Sequence, residues 1–565
     1  MRSRITAQPH RLAAAVAASV TALALAAAGL ASPAAQAANP SASLPSAPVR
    51  AAAPAANEVH APIPVLNWKP CSAFKQSAAA QQGGLRLSCA RATVPLDYDR
   101  PHGDTIKLFI SKVPAAKPAQ RIGTLFTNPG GPGGSASEAA PYIAQLLGPG
   151  VRNHFDVVGV DPRGVGGSQG VRCRSDEPWP DFPKVAFPLT PRQVRTQLRF
   201  NAHLRHVCAE GGNPILDHMT TADTARDMDL IRQAVGDERL TYYGVSYGTY
   251  LGATYAAMFP DRVRALIVDG VLDPVAWATG RNGLGDKLPF STRLRSGVGA
   301  WDALTTAFAE CDRVTKQQCP LSGSATEKWL RIIKRLKQRP FHFGDGEFFR
   351  YQDLIGATLG FLYSRDSYRP LMAMINEIHH LMFESKSSTS VASALRHFQQ
   401  RSREVTRRGP GGPYGLGRAA RPAFEAISCA DSVNPRNPRA WVRAGAIADS
   451  QGPWFGRLWT WASSPCAKWP GSSADAFRGP WRVKTSRPVL VVTTLHDPAT
   501  PINGARKLNG LFAGSRLLSV RTWGHGAIGT SRCITERFAR YLVSGDLPVN
   551  GLVCKPNTEL FPARR

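Results

Sequence analysis

Residues 240–260 read LTYYGVSYGTYLGATYAAMFP: a β-branched and aromatic run, then Gly244-Val245-Ser246-Tyr247-Gly248, then an alanine-rich segment of helical character. A serine between strand and helix, with glycines on both sides, fits a sharp turn, because small neighbours let the backbone take up strained angles there. That turn confines the chain to folds in which a strand runs directly into a helix. G-x-S-x-G alone is a common pattern, so its meaning depends on what surrounds it.

The surroundings repeat the theme. Residues 105–113 (TIKLFISKV), 123–127 (GTLFT), 155–160 (FDVVGV) and 263–268 (VRALIV) read as strands, and 221–235 (TADTARDMDLIRQAV) has a polar start and helical apolar spacing. Apolar strands alternating with helices imply a mostly parallel sheet with helices on both faces. From about 275 to 479 the pattern breaks: no buried strand is evident, tryptophans are frequent, and helical stretches alternate with Gly/Pro loops. The α/β pattern resumes at 488–494 (PVLVVTT) and 515–520 (SRLLSV), with a helical segment at 503–511 between them and a last helix near 535–542. The expected architecture is an α/β-hydrolase fold: a first core part over 63–274, a large, mainly helical cap insertion over 275–479, and a C-terminal core part over 480–565.

A serine hydrolase on that fold needs a nucleophile on the strand–helix turn, then an acid and a histidine after later strands, in that chain order. Asp497 follows PVLVVTT and His525 follows SRLLSVRTW, so Ser246, Asp497 and His525 are the candidate triad. Asp269 also ends a strand and rivals Asp497 as the acid, but Asp269-Gly270 reads more easily as a turn. His496 adjoins Asp497 and cannot easily fold back on it. Two backbone N–H groups must also meet the developing oxyanion. Tyr247, next after the nucleophile, supplies one; the loop Asn128-Pro129-Gly130-Gly131-Pro132-Gly133-Gly134 supplies the other, with Gly131 favoured. The loop lacks G-x-G-x-x-G and Walker spacing, which argues against nucleotide binding, and no cofactor or metal is expected.

The N-terminus has Arg2, Arg4 and Arg11, then an apolar alanine-rich run, then Ala35-Gln36-Ala37, the order of a secretory signal peptide over 1–37. A membrane anchor is the rival reading of the same run. Residues 38–62 are Ala/Pro/Ser-rich and read as a flexible leader or pro-segment. Ten cysteines without a C-x-x-C pair fit five disulfides in an oxidising compartment. Nearest-neighbour pairing keeps every loop local: Cys71–Cys89, Cys173–Cys208, Cys311–Cys319, Cys429–Cys466 and Cys533–Cys554. Sixty-nine Lys and Arg against 40 Asp and Glu make the chain strongly basic. The basic residues are scattered and form no nucleic-acid module, so the expectation is loose association with anionic cell-surface polymers and no nucleic-acid partner. A secreted monomer, some of it held at the cell wall, is expected.

The segments NPGGPGGS, FDVVGVDPRGVGGS, TTADTARDMDLIRQAVG, YYGVSYGTYLG, LIVDGVLDP and PVLVVTTLHDPATP resemble the secreted tripeptidyl aminopeptidases of actinobacteria, relatives of prolyl iminopeptidases. The resemblance spans most of 65–555 and is weakest in the insertion. NPGGPGG is similar to the HGGPG of prolyl iminopeptidases, with Pro129 where their histidine stands. What the resemblance implies is an exported serine exopeptidase acting on peptide or protein N-termini and releasing short peptides, typically tripeptides. Glu425 and Asp431, in FEAISCADSVN, stand where that family often has a C-x-D segment, and the resemblance offers them as anchors for the substrate ammonium; ordinary structural acids are the alternative. A secreted esterase or lipase on the same scaffold is the competing activity, since fold does not fix function. A non-catalytic binding protein is a third reading, and loss of a triad member would be its mark.

Overall fold

The strands form because runs such as VRALIV and LVVTT bury side chains on both faces at once. In the computed structural model, which describes residues 60–73, 85–174, 176–342, 348–384, 392–393, 395–398, 400, 419–420 and 422–563, fourteen strands are present. They are β1 (Lys69–Pro70), β2 (Ser88–Pro95), β3 (Thr105–Val113), β4 (Gly123–Asn128), β5 (Phe155–Val160), β6 (Cys173–Arg174), β7 (Leu240–Val245), β8 (Val263–Asp269), β9 (Phe341–His342), β10 (Phe348–Phe349), β11 (Ala419–Ala420), β12 (Leu490–His496), β13 (Arg516–Trp523) and β14 (Leu552–Cys554). The described residues fall in one unit, Ala56–Arg565. The expected signal peptide and most of the leader lie outside the described residues.

Ten strands make one sheet in the order β1-β2-β3-β5-β4-β7-β8-β12-β13-β14. Pairing is parallel from β5 through β14 and antiparallel among β1, β2, β3 and β5. The antiparallel edge departs from the simple alternation of strand and helix, because β2 and β3 follow one another with no crossover helix.

Successive strand residues point to opposite faces, and the core divides accordingly. Phe126, Val158, Tyr242, Val268 and Val491 join one apolar cluster. Their neighbours Leu125, Val157, Tyr243, Ile267 and Val492 join the other. Helices Thr221–Ala234, Tyr247–Met258 and Ile502–Leu511 cover the first face, and Ala136–Leu147 and Arg532–Ser544 the second. Between β8 and β12 the described chain is mainly helical, with only the two-residue strands β9, β10 and β11. Leu304, Phe308, Trp329, Leu354 and Ile375 from this segment extend the first cluster, so the insertion shares the core of that face.

The cysteines pair in sequence order, Cys71–Cys89, Cys173–Cys208, Cys311–Cys319, Cys429–Cys466 and Cys533–Cys554. Among the described residues no helix is long and apolar enough to cross a membrane.

Candidate active site

Ligands of open α/β sheets collect at the carboxyl ends of the parallel strands, and the three candidate residues lie there. Ser246 follows β7, Asp497 follows β12, and His525 comes two residues after β13. Ser246 has φ 58° and ψ −125°, a left-handed turn that costs a non-glycine residue about 1–3 kcal/mol. The flanking glycines make it feasible. A Cβ on Gly244 would sit 2.4 Å from the Gly248 carbonyl oxygen, and one on Gly248 would sit 2.5 Å from that of Asn128. The elbow is therefore pressed against its own first helical turn and against the end of β4.

His525 Nδ1–H donates to Asp497 Oδ1 at 2.9 Å and Oδ2 at 3.0 Å. The carboxylate is held from behind by the N–H groups of Ala499 and Thr500, both 2.8 Å from Oδ1, and by Gly526 N–H at 3.3 Å from Oδ2. The main-chain N–H of His525 donates to the Tyr363 carbonyl at 2.9 Å, and the Tyr363 ring meets the imidazole edge-on at 5.1 Å. Burial disfavours the imidazolium, but the Asp497 charge and hydrogen bond, with a smaller contribution from Asp269, outweigh it and hold the His525 pKa above its usual value. His525 Nε2 is buried without a hydrogen-bond partner. His525 and Ser246 line the same cavity.

That cavity has about 610 Å³ of space, part of it open to solvent. Gly131 lines it beside Ser246. The Gly130 N–H is already given to Asn128 Oδ1 at 2.9 Å, and Tyr247 opens the helix Tyr247–Met258, where first-turn N–H groups lack intrahelical partners. Gly131 and Tyr247, the two candidate oxyanion donors, thus lie beside the nucleophile, one across the cavity lining and one next in the chain. The remaining walls are mostly apolar, with Leu272, Trp277, Phe290, Leu294, Phe424 and Trp459 prominent. Among the described residues no Asp, Glu, Lys or Arg lines the cavity.

Glu425 and Asp431, the ammonium anchors implied by the resemblance, stand on the helix Ala423–Asp431. Both are buried, and neither lines the cavity. Asp431 Oδ1 accepts from Thr221 N at 2.8 Å, and Oδ2 accepts from Thr221 Oγ1 at 2.6 Å and from Trp277 Nε1 at 3.4 Å. Thr221 Oγ1 in turn bonds Tyr247 O–H. Asp431 therefore ties the insertion to the start of the helix Thr221–Ala234 and, through Thr221, to Tyr247, and its oxygens are taken up by the wall. Glu425 lies one residue past the cavity-lining Phe424. Burial raises both carboxyls, each to about 7.

A carboxyl raised on folding favours the folded state most below its unfolded pKa and loses that contribution as pH rises through the folded one. For Glu425 the window runs from 4.5 to about 7. Thermal unfolding of Glu425→Gln should accordingly show a shallower loss of stability between pH 5 and 8 than the unmodified chain, with a gain of up to about 3 kcal/mol at pH 8. Parallel Tm-against-pH curves would contradict this burial account.

One residue escaped the sequence reading. Tyr363 supplies both a carbonyl and a ring to His525 from the insertion, a tertiary contact with no motif to announce it. His496, which looked out of place beside Asp497, donates from Nδ1 to Asp302 Oδ2 at 2.8 Å and stacks on Trp523 at 4.6 Å. It fastens the helix Ser296–Asp312 to the end of β12. Among the described residues no group of His, Cys, Asp and Glu could hold a metal ion.

Residues 123–291 match the family model described as alpha/beta hydrolase fold, and residues 452–554 match that of TAP-like protein. The tripeptidyl aminopeptidase of Streptomyces lividans is 30% identical over 509 residues, covering 88% of this chain and 88% of the relative. Serine protease Hip1 of Mycobacterium tuberculosis is 32% identical over 518 residues, covering 86% and 91%. A protein named carboxylesterase B, also from M. tuberculosis, is 31% identical over 513 residues, covering 87% and 90%.

Proposed function

The chain belongs to the tripeptidyl aminopeptidase-like family of serine hydrolases with the α/β-hydrolase fold, and on that premise we propose that it is an exported exopeptidase that releases short peptides, in the main tripeptides, from free N-termini. The observation that carries this reading is that His525, hydrogen-bonded to Asp497, and Ser246 on its strained turn line one cavity, whose other walls come largely from the insertion. Ser246 Oγ attacks the scissile carbonyl while His525 Nε2 takes its proton, and the oxyanion is met by the N–H groups of Gly131 and Tyr247. The imidazolium, stabilised by Asp497, then protonates the leaving amine, and water returns through the same base to free Ser246. The insertion closes the cleft over 275–479 as a cap and so favours chain ends over internal bonds. Five disulfides support an oxidising destination, as the sequence of 1–37 does.

A second reading has one observation in its favour. Among the described residues the cavity lining has no carboxylate to meet an ammonium, which suits an apolar acyl ester as well as a peptide.

Free and N-acetylated tripeptidyl p-nitroanilides, assayed beside p-nitrophenyl acyl esters with Ser246→Ala as control, separate the two. Acetylation is expected to lower kcat/KM about 100-fold, because a cleft walled by the insertion has to take up the added acetyl group in place of a free amine. Equal cleavage of free and acetylated anilides would overturn the aminopeptidase reading, and turnover of esters alone would establish the second.

A further inference from the structure

Asp269 is a buried carboxylate that the triad does not use. It is the last residue of β8, with 0% of its surface exposed. Its main-chain carbonyl accepts the Ser246 N–H at 3.0 Å. Its side chain accepts Ala527 N–H at 2.8 Å to Oδ1 and 2.9 Å to Oδ2, and to Oδ2 also Ile528 N–H at 3.0 Å and Tyr243 O–H at 2.8 Å. One residue thus holds the backbone of the nucleophile with its main chain and the turn after the histidine with its side chain. The next residue passes directly beneath the pair: a Cβ on Gly270 would lie 3.3 Å from His525 Cε1 and 3.4 Å from Asp497 Oδ2.

We propose that Asp269 is a positioning residue that sets the His525 turn in register with the Ser246 turn. It does not replace Asp497, because Nδ1 of His525 is given to Asp497 and the Asp269 side chain reaches only the N–H groups two and three residues further on. β8 lies between β7 and β12 in the sheet, so its end stands beside the Ser246 turn, and from there the Asp269 side chain reaches the turn after His525. Several groups share the surroundings: Asp497 from the end of β12, Thr500 beyond it, Tyr243 from β7, and Tyr363 and Tyr368 from the insertion. Burial raises the Asp269 carboxyl, and the bonds from Ala527, Tyr243 and Ile528 pull it back towards ionisation. Its charge helps to hold the His525 pKa up.

The inference rests on the triad reading above, and its test keeps the two apart. In Asp269→Asn one acceptor becomes an NH₂ that faces N–H donors, and the charge is lost. With the best substrate of the p-nitrophenyl panel, over pH 5–9, kcat should fall roughly 10- to 100-fold with KM changed less than about threefold, the scale of a small misplacement of a catalytic group. The acid limb of kcat/KM should move to lower pH, because a negative charge near the imidazolium has gone. Tyr243→Phe removes one bond and keeps the charge, so a smaller fall in kcat with the limb in place is expected. Rates are taken per active site titrated with a fluorophosphonate, which removes losses from misfolding. If Asp269→Asn does not fold, Asp269→Glu carries the test, with kcat lowered and the limb unmoved. Unchanged kcat and an unmoved limb in the Asn variant, or unchanged kcat in the Glu variant where that carries the test, would overturn the proposal. Failure of the triad reading would show separately, as turnover retained by Ser246→Ala.

Discussion

Ser246→Ala is expected to lower kcat by roughly 10⁵-fold or more, the scale seen when a triad nucleophile is removed, with KM altered only a few-fold. The argument is geometric. Ser246 is held at φ 58° between two glycines that cannot carry a Cβ, and a structural serine would have no reason to be kept there. Its side chain makes no capping bond to the helix it precedes, so it is not serving as an N-cap either. His525→Ala should cost nearly as much, and the double variant scarcely more, because the two act as one unit. Thermal unfolding of Ser246→Ala should be close to that of the unmodified chain. A loss of less than tenfold would place the chemistry elsewhere.

Gly130→Ala is expected to be the second largest effect. A Cβ there would lie 2.5 Å from Val245 O, 2.8 Å from Ser246 Cβ and 2.8 Å from Tyr247 N, at a residue with φ +90°. The first of these contacts is with backbone at the end of the central strand β7 and the last with the first residue of the helix Tyr247–Met258, neither of which can swing aside, so the glycine loop must lift off the nucleophile turn. Under the proposed mechanism the Gly131 and Tyr247 N–H groups would then not both meet the oxyanion, and the loss of one such donor corresponds to about 10²–10³ in kcat. Gly133→Ala is the control, because it carries a similar backbone strain at φ +99° but meets nothing closer than 3.6 Å. Both variants should lose about 1–3 kcal/mol of stability, and only Gly130→Ala should lose the kcat. Equal kinetics for the two would mean that the loop does not take part in the reaction.

The legible parts of this molecule are those in which local chemistry and tertiary role coincide. β5 could be read as FDVVGV because a central parallel strand must be apolar on both faces. Ser246 stood out because its turn demands glycines. The edge formed by β1 and β2 was not legible: SCARATVP alternates weakly, and its pairing partners are chosen by the sheet. Tyr363 was invisible for the same kind of reason, since its contact with His525 exists only once the insertion has packed. Asp269 was read as a turn residue, and Gly270 does turn there at φ +66°. What the turn reading could not include is that the Asp269 side chain points inward to the His525 loop. Glu425 and Asp431 came from the resemblance alone; the structure bonds Asp431 to Thr221 and Trp277 and buries Glu425, neither of which a motif announces.

The most direct test of the central claim follows the products formed from one polypeptide, supplied with a free and with an acetylated N-terminus, by mass spectrometry over time. Successive loss of three residues from the free form, with the acetylated form intact and Ser246→Ala inert on both, is the predicted result. Internal fragments, or equal degradation of the acetylated form, would contradict it.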